Sequence, residues 1–282
     1  MRPRRLHAIH CAPSTTSGGS PLLFLHGGYV DARSWDAHFL PYFAAHGHDC
    51  FALDFSGHGR SEGRLNLDAL SLDDYLADAR QLIADLGRQP VVIGHSMGSF
   101  IAERILEESL AEAAVLISPV PTMGTFESAA RLLLSHPQFL CEVANVTSGR
   151  VSRNALRLIK EIYFSPATTP ETLRRFTELL QPESTRAICD LTLLGWRWPP
   201  RRPSLPVLVI GGELDTVFPP RMIWPVARRW HAELQIVADT GHALILDEHW
   251  QSCADAVLGW LARRGTPTAA TAVAVDGSPC LA

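Results

Sequence analysis

Short, unbroken apolar runs constrain the fold of this chain more than any other feature. There are six, each bounded by Gly, Pro or a charged residue: 22–25, 50–53, 91–93, 113–117, 207–210 and 234–237. Continuous rather than alternating hydrophobicity is typical of strands buried on both faces, as in a parallel sheet. Segments with helical spacing lie between most of the runs, and strands that alternate with helices form right-handed crossovers. The sequence therefore predicts an α/β protein with a mostly parallel central sheet and helices on both faces.

One interval between the runs is much longer than the others. More than 90 residues separate the starts of the fourth and fifth runs, whereas most other starts are about 22 to 41 residues apart. Inside it, 129–134, 151–163 and 171–180 have i, i+3, i+4 apolar spacing. We therefore predict a core of residues 1–120 and 206–265, with a helical cap, 121–205, inserted between two strands. Residues 266–282 are small and aperiodic, which predicts a loose tail.

Composition excludes several classes of protein. With 46% apolar residues, 19% charged residues and a net charge of −4, the chain is not a disordered chain, a coiled coil or a strongly basic nucleic-acid binder. No apolar run reaches the ~18 residues of a membrane span, and the basic start of the chain is not followed by the ~7–15 apolar residues of a signal peptide. The cysteines and histidines lack metal-site spacing. We expect a cytoplasmic protein with a small-molecule substrate, no cofactor or metal, and no nucleic-acid partner, and we predict no particular oligomeric state.

The stretch after the third run is the most informative for chemistry. It contains Gly94-x-Ser96-x-Gly98, directly followed by a helical apolar stripe. A serine on such a sharp strand-to-helix turn is strained and exposed above the sheet, and the flanking glycines avoid collisions of a Cβ with the neighbouring turn. Because the start of a helix offers free N–H groups, the Met97 N–H can point at a developing oxyanion.

A second segment, Gly59-Arg-Ser61-Glu-Gly63, matches the same pattern. A Gly/His/Ser loop rather than a strand precedes it, and no helix follows directly. The context therefore favours Ser96 over Ser61 as the nucleophile.

A nucleophilic serine needs a base and an orienting acid, which on this type of sheet follow in the order Ser, acid, His. Asp215 comes just after the fifth apolar run and His242 just after the sixth, so both loops open on the sheet edge that carries Ser96. Glu213 is a poorer candidate acid because it comes earlier on the turn, and Asp239 is too close to His242. A turn residue or a helix cap remains the alternative interpretation of Asp215.

A second oxyanion donor is expected after the first apolar run. His26-Gly27-Gly28-Tyr29 supplies small residues that let a main-chain N–H approach a substrate. Gly28 is the first candidate and Tyr29 the next, with a simple tight turn as the alternative.

The chain resembles the α/β-hydrolase superfamily over residues ~20–120 and ~205–262. The resemblance is carried by the His-Gly-Gly loop, Leu53-Asp-Phe-Ser-Gly-His-Gly-Arg-Ser61, Gly-His-Ser-Met-Gly, Gly-Gly-Glu-Leu-Asp and Thr-Gly-His. The resemblance implies a Ser96–His242–Asp215 triad, a helical cap at 121–205 and a structural role for the Ser61 loop. About 20 residues precede the His-Gly strand, so only one leading strand fits, with 6–11 as the candidate.

The resemblance also narrows the reaction. Related dehalogenases and epoxide hydrolases carry Asp at the elbow, so Ser96 argues against both. Hydrolysis of an ester, thioester or lactone of a small to medium apolar substrate is expected. Carbon–carbon bond hydrolysis, haloperoxidase-like perhydrolysis and a non-catalytic receptor remain alternatives. We expect the cap to select acyl groups rather than take part in chemistry. Candidates to line the acyl pocket are Phe126, Leu132, Leu133, Phe139, Phe164, Trp196 and Trp198, and candidates to steer an anion are Arg197, Arg201 and Arg202. Ordinary packing within the cap is the favoured interpretation of each apolar candidate, and a solvated charged face is that of the arginines.

Overall fold

The computed structural model describes residues 4–13, 19–193 and 204–265. Within these ranges, seven strands form one sheet in the order β1-β3-β2-β4-β5-β6-β7. The strands are β1 His7–Cys11, β2 Leu22–Leu25, β3 Cys50–Asp54, β4 Val91–His95, β5 Ala113–Ile117, β6 Val207–Gly212 and β7 Glu233–Val237. β1 pairs antiparallel with β3, and every other pairing is parallel. The predicted mostly parallel sheet is confirmed.

The described residues also form eleven α-helices and one 3₁₀ helix, Arg64–Ala69. The α-helices are α1 Arg33–Asp36, α2 Phe39–Ala45, α3 Leu72–Leu86, α4 Met97–Glu107, α5 Phe126–Ser135, α6 Phe139–Thr147, α7 Arg153–Tyr163, α8 Pro170–Leu179, α9 Thr185–Thr192, α10 Pro220–Trp230 and α11 Trp250–Gly265. None of the described helices is both long and apolar enough to cross a membrane.

The six predicted strands are present, and β1 lies inside the one leading segment expected, 6–11. Some strands run further than their apolar runs: β4 ends at His95 and β6 at Gly212. These polar or small residues still pair with the neighbouring parallel strand, His95 with Ile117 and Gly212 with Val237. Hydropathy alone ends these strands too early because main-chain pairing does not require an apolar side chain.

Side chains alternate between two buried faces of the sheet. Leu23 and Leu25 belong to one apolar cluster, which includes residues of α3, α4 and α10. Leu22 and Phe24 belong to the other, which includes residues of α1, α2 and α11. Since successive side chains of a strand point to opposite faces, the two clusters lie on the two sides of the sheet. Helices therefore cover both faces, as predicted.

Helices α5–α9 lie between β5 and β6, which confirms the predicted helical insertion. Its apolar residues continue the core: Leu158 and Ile162 of α7 pack into the cluster of α4, and Ala155 and Ile159 into the cluster of α11. We retain 121–205 as the proposed extent of the cap. The predicted tail, 266–282, lies outside the described residues.

Candidate active site

Ser96 forms the turn between β4 and α4 in a backbone conformation that side-chain-bearing residues rarely adopt, with φ 50° and ψ −119°. Its N–H donates to the carbonyl oxygen of Ile117 at 3.0 Å, which attaches the turn to the neighbouring strand β5. Such strain costs of order 1–3 kcal/mol and persists only where the surrounding structure enforces it.

The two flanking glycines show how the structure enforces this turn. A Cβ on Gly94 would lie 2.3 Å from the carbonyl oxygen of Gly98. A Cβ on Gly98 would lie 2.2 Å from the carbonyl oxygen of Leu25 and 2.6 Å from that of His26. Because these neighbours are main-chain atoms, no side chain can move aside. The first turn of α4 therefore packs directly on β4 and on the end of β2.

Ser96, His242 and Asp215 lie together, as the sequence predicts. His242, in the loop after β7, places Nε2 3.1 Å from the Ser96 Oγ and Nδ1 2.9 Å from the Asp215 Oδ2. His242 and Asp215 are buried, whereas Ser96 is partly exposed. Because a carboxylate only accepts, the Nδ1 of His242 carries the proton that faces Asp215. The Nε2 is then free to accept the proton of the Ser96 hydroxyl.

Asp215 is held as an ionised carboxylate. Its Oδ1 accepts the N–H groups of Val217 at 2.8 Å and Phe218 at 2.7 Å, and its Oδ2 accepts the Ser118 hydroxyl at 3.0 Å. Burial acts to raise the pKa of Asp215, but the charge of His242 and the hydrogen bonds that the carboxylate accepts together hold this pKa below its ordinary value.

The alternative residues considered from the sequence lie elsewhere. Glu213 is exposed, and its carboxylate accepts the N–H of Asp239 at 3.2 Å rather than contacting His242. Ser61 is buried in main-chain contacts: its hydroxyl donates to the Asp54 carbonyl oxygen at 2.6 Å and accepts the N–H of His7 at 2.8 Å. These contacts are those of a structural loop residue.

Gly28 and Met97, the predicted oxyanion donors, both line one cavity with Ser96. Met97 is the first residue of α4, so its N–H points out of the start of that helix. The N–H of Tyr29, the other candidate, donates to Glu183 Oε2 at 3.2 Å. Because that N–H is already bonded, Gly28 is the stronger candidate for the second donor.

The cavity beside Ser96 has a volume of about 220 Å³. A smaller cavity of about 50 Å³ adjoins it between α6, α7 and α8. Both are lined by Gly28, Tyr29, Phe139, Val143, Tyr163 and Phe176. The shared lining shows that the space above Ser96 extends between the cap helices.

The predicted lining residues divide into two groups. Leu132 and Phe139 line the catalytic cavity. Phe126 is 69% exposed on the outer surface, Leu133 is also exposed, and Phe164 is buried against Phe176. Helical periodicity identifies an apolar face but not which part of it meets the sheet, so these three candidates fall outside the lining of the cavity. Trp196, Arg197, Trp198, Arg201 and Arg202 lie outside the described residues.

His95 supports the site and was not anticipated from the sequence. Its Nε2 donates to the main-chain oxygen of His242 at 2.9 Å. Burial, and then the charge of His242, lower the pKa of His95 to about 3, so the ring is neutral. Its only sequence signal was its position directly before Ser96.

Asp247 anchors the loop of His242 to the cap and was also missed. The buried carboxylate accepts the N–H of Gly241 at 3.1 Å and the hydroxyl of Ser165 at 2.6 Å. The N–H of Ala243 donates to the Tyr163 carbonyl oxygen at 2.8 Å. The C-terminal end of α7 therefore contacts the residues on both sides of His242.

The chain belongs to the α/β hydrolase fold family, whose model matches residues 20–249. BpoC of Mycobacterium tuberculosis, named as a non-heme bromoperoxidase, is 33% identical over 113 residues, which cover 39% of this chain and 42% of BpoC. The sequence match thus spans less than half the length of that relative.

Solved structures agree in fold over nearly the whole chain. BpoC has a TM-score of 0.74 at 23% identity, covering 93% of this chain and 97% of BpoC. A thermophilic esterase from Thermogutta terrifontis has a TM-score of 0.67 at 18% identity, covering 93% and 95%. An enol-lactonase from Burkholderia xenovorans has a TM-score of 0.69 at 17% identity, covering 92% and 97%. At these identities the likeness establishes the α/β-hydrolase fold alone.

Proposed function

We propose that this protein is a serine hydrolase that cleaves a carboxylic ester, thioester or lactone of a small to medium apolar substrate through an acyl-enzyme intermediate. The observation that carries the proposal is the unbroken hydrogen-bond chain from Ser96 through His242 to Asp215, which opens on an apolar cavity. In this proposal Ser96 is the nucleophile, His242 the general base and Asp215 the orienting acid.

In the first step, the Ser96 Oγ attacks the acyl carbon while its proton passes to the Nε2 of His242. The carbonyl oxygen becomes an oxyanion, and the N–H groups of Gly28 and Met97 stabilise its charge. Asp215 stabilises the imidazolium that forms and keeps the Nδ1 proton in place.

In the second step, the bond from the acyl carbon to the leaving oxygen, or to the leaving sulfur of a thioester, breaks. The imidazolium of His242 donates its proton to the leaving alkoxide or thiolate. Water then attacks the acyl-enzyme with His242 again as the base. The acid is released, and Ser96 regains its proton.

The cavity supports an uncharged, apolar acyl group. Among the described residues that line it, the titratable side chains are tyrosine and histidine, with no Asp, Glu, Lys or Arg. The cap contributes chiefly apolar side chains: Ala129, Leu132, Phe139, Val143, Phe176, Ile188 and Leu191. An apolar wall discriminates by about 1–3 kcal/mol per methylene, so selectivity should be graded by chain length.

Perhydrolysis is the second candidate, favoured by the name of BpoC as a non-heme bromoperoxidase. The same acyl-enzyme would transfer its acyl group to hydrogen peroxide instead of water and release a peracid. The Ser96, His242 and Asp215 roles are unchanged in this reaction.

The experiment is a panel of p-nitrophenyl esters of increasing chain length with one thioester and one lactone, each assayed with and without hydrogen peroxide and bromide. We expect many turnovers per site and a graded optimum, while bromide oxidation dependent on the ester would indicate perhydrolysis. Ser96→Ala should lower kcat by roughly 10⁴–10⁶. A fluorophosphonate adduct on the Ser61 peptide, or single turnover with every substrate, would refute the proposal.

A further inference from the structure

The connector between α8 and α9, residues 180–184, binds both the N–H and the carbonyl oxygen of Tyr29, the residue after Gly28. Tyr29 has φ 65°, the left-handed region that favours glycine. Its carbonyl oxygen accepts the N–H of Gln181 at 2.8 Å, and its own N–H donates to the Glu183 Oε2 at 3.2 Å. A strained residue persists only where contacts enforce it, and here the cap supplies two of those contacts.

Glu183 is a fully buried acceptor with a partner on each oxygen. Its Oε1 accepts the hydroxyl of Tyr75 and the N–H of Ser184, both at 2.7 Å. Its Oε2 accepts the N–H of Tyr29 and lies 3.1 Å from the Nε2 of His58. The side chains of His58 and Glu183 are both wholly inaccessible to solvent.

The His58 ring lies between two oxygen acceptors. Its Nδ1 lies 3.2 Å from the carbonyl oxygen of Ser56, and its Nε2 faces the carboxylate of Glu183. The Nε2–H is not aligned for a hydrogen bond, so this contact is one of charge. Burial acts to lower the pKa of His58, but the charge of Glu183 raises it above its ordinary value, which favours the protonated ring. His58 and Glu183 therefore form a buried ion pair that joins the core loop after β3 to the cap.

Such a pair is weak evidence for stability, because removing two charges from water offsets much of their attraction. The position of the pair indicates its role, because the Glu183 carboxylate that contacts His58 also binds the Tyr29 N–H. If Glu183 did not take this N–H, the Tyr29 peptide could rotate out of its strained conformation and turn the adjoining Gly28 peptide with it. An oxyanion hole stabilises charge only while its donors stay aimed at one point.

We propose that Glu183 is a positioning residue for the oxyanion hole: by binding the Tyr29 N–H it holds the Gly28 N–H toward the cavity. The inference rests on the proposed function. It differs from the expectation that the cap only selects substrates, because a cap side chain here takes part in catalysis through the main chain of the core.

The test is Glu183→Met, which keeps a similar length but removes the acceptor. A misplacement of about 1 Å costs about 10²-fold in rate, so kcat for a p-nitrophenyl ester should fall by about that factor. KM should change by less than about threefold, because the donor acts mainly in the transition state. The second-order rate of fluorophosphonate labelling of Ser96 should fall in parallel, since that attack builds charge on an oxygen in the same hole. Glu183→Gln has one amide oxygen, which accepts the Tyr29 N–H only when its NH₂ faces the Ser184 N–H, so it should recover part of the loss.

Asp68→Asn is the matched control. Asp68 accepts the N–H and hydroxyl of Thr185 on the same side of the cap, without contacting Tyr29, so kcat and labelling should stay at the wild-type level. If Glu183→Met does not fold, Tyr75→Phe removes one partner of Glu183 and should lower kcat several-fold at constant KM.

Two failures are distinguishable. If the wild-type protein neither turns over an ester nor labels at Ser96, the proposed function fails. If wild type labels and Glu183→Met, folded by circular dichroism, labels at the same rate, or if its loss appears only in KM, the positioning role is overturned.

Discussion

Asp215→Asn tests the triad most sharply, because the two carboxylate oxygens have different partners. The Oδ1 accepts two main-chain N–H groups, and the Oδ2 faces the His242 Nδ1. In Asp215→Asn, the single amide oxygen keeps both main-chain bonds only if it takes the Oδ1 position. The amide NH₂ then donates to the His242 Nδ1, and the ring proton must move to Nε2, the nitrogen that faces Ser96. In that tautomer His242 cannot accept the Ser96 proton.

The structure also limits the size of the effect. The wrong tautomer lowers kcat by about 10⁴, equivalent to about 5.4 kcal/mol in the barrier. Flipping the amide restores the right tautomer but places the NH₂ against the N–H groups of Val217 and Phe218, now 2.8 and 2.7 Å from the Oδ1. Two unpaired buried donors cost about 1–3 kcal/mol each, so the flipped form is disfavoured by about 2–6 kcal/mol. The loss in kcat should therefore lie between about 30-fold and 10⁴-fold.

The assay is kcat for p-nitrophenyl butyrate at one pH, with Glu213→Gln as the control on the same turn. Glu213 is exposed and does not contact His242, so this control should change kcat by less than about twofold, as a surface substitution does. If Asp215→Asn keeps more than about a tenth of the wild-type rate, or if Glu213→Gln is the more damaging change, the assignment of the acid and the tautomer argument are wrong.

Three further outcomes are expected. Gly98→Ala places a Cβ 2.2 Å from a main-chain oxygen that cannot repack, so the free energy of unfolding should fall by about 3 kcal/mol or more, measured by denaturant titration; an unchanged midpoint would contradict this. Phe139→Ala should shift the chain-length optimum to longer esters while fluorophosphonate labelling of Ser96 survives; an unchanged optimum would exclude Phe139 from the acyl pocket. Burial acts to lower the pKa of His58, but Glu183 raises it above its ordinary value. The stabilisation of the folded state by this pair is therefore full below the unfolded-state pKa of His58, and it is lost as pH rises through the folded-state pKa. The melting temperature should fall between these two pKa values in wild type but less in Glu183→Gln, and equal profiles would count against an ionised pair.

Local sequence was sufficient for the strand framework and for the nucleophile turn. A strand buried on both faces needs only a short apolar run, and six such runs became six strands. The Ser96 turn is determined within a few residues, because any side chain at position 94 would collide with the main chain of Gly98 and the helix starts directly after Ser96. The proximity of Ser96, Asp215 and His242 followed from strands that all end at one sheet edge.

The supporting contacts depended on tertiary structure. Glu183 binds the N–H of Tyr29 across 154 residues of chain, and His95 binds the carbonyl oxygen of His242 across 147. Nothing within a few residues of Glu183 indicates these partners, since its burial depends on how the connector between α8 and α9 lies on the core. Hydrophobic periodicity likewise could not distinguish Phe139, which lines the cavity, from the exposed Phe126, because the orientation of a helix is set by the surface it packs against. Sequence determined which residues could carry the chemistry, and only the packing of cap on core decided what holds them in position.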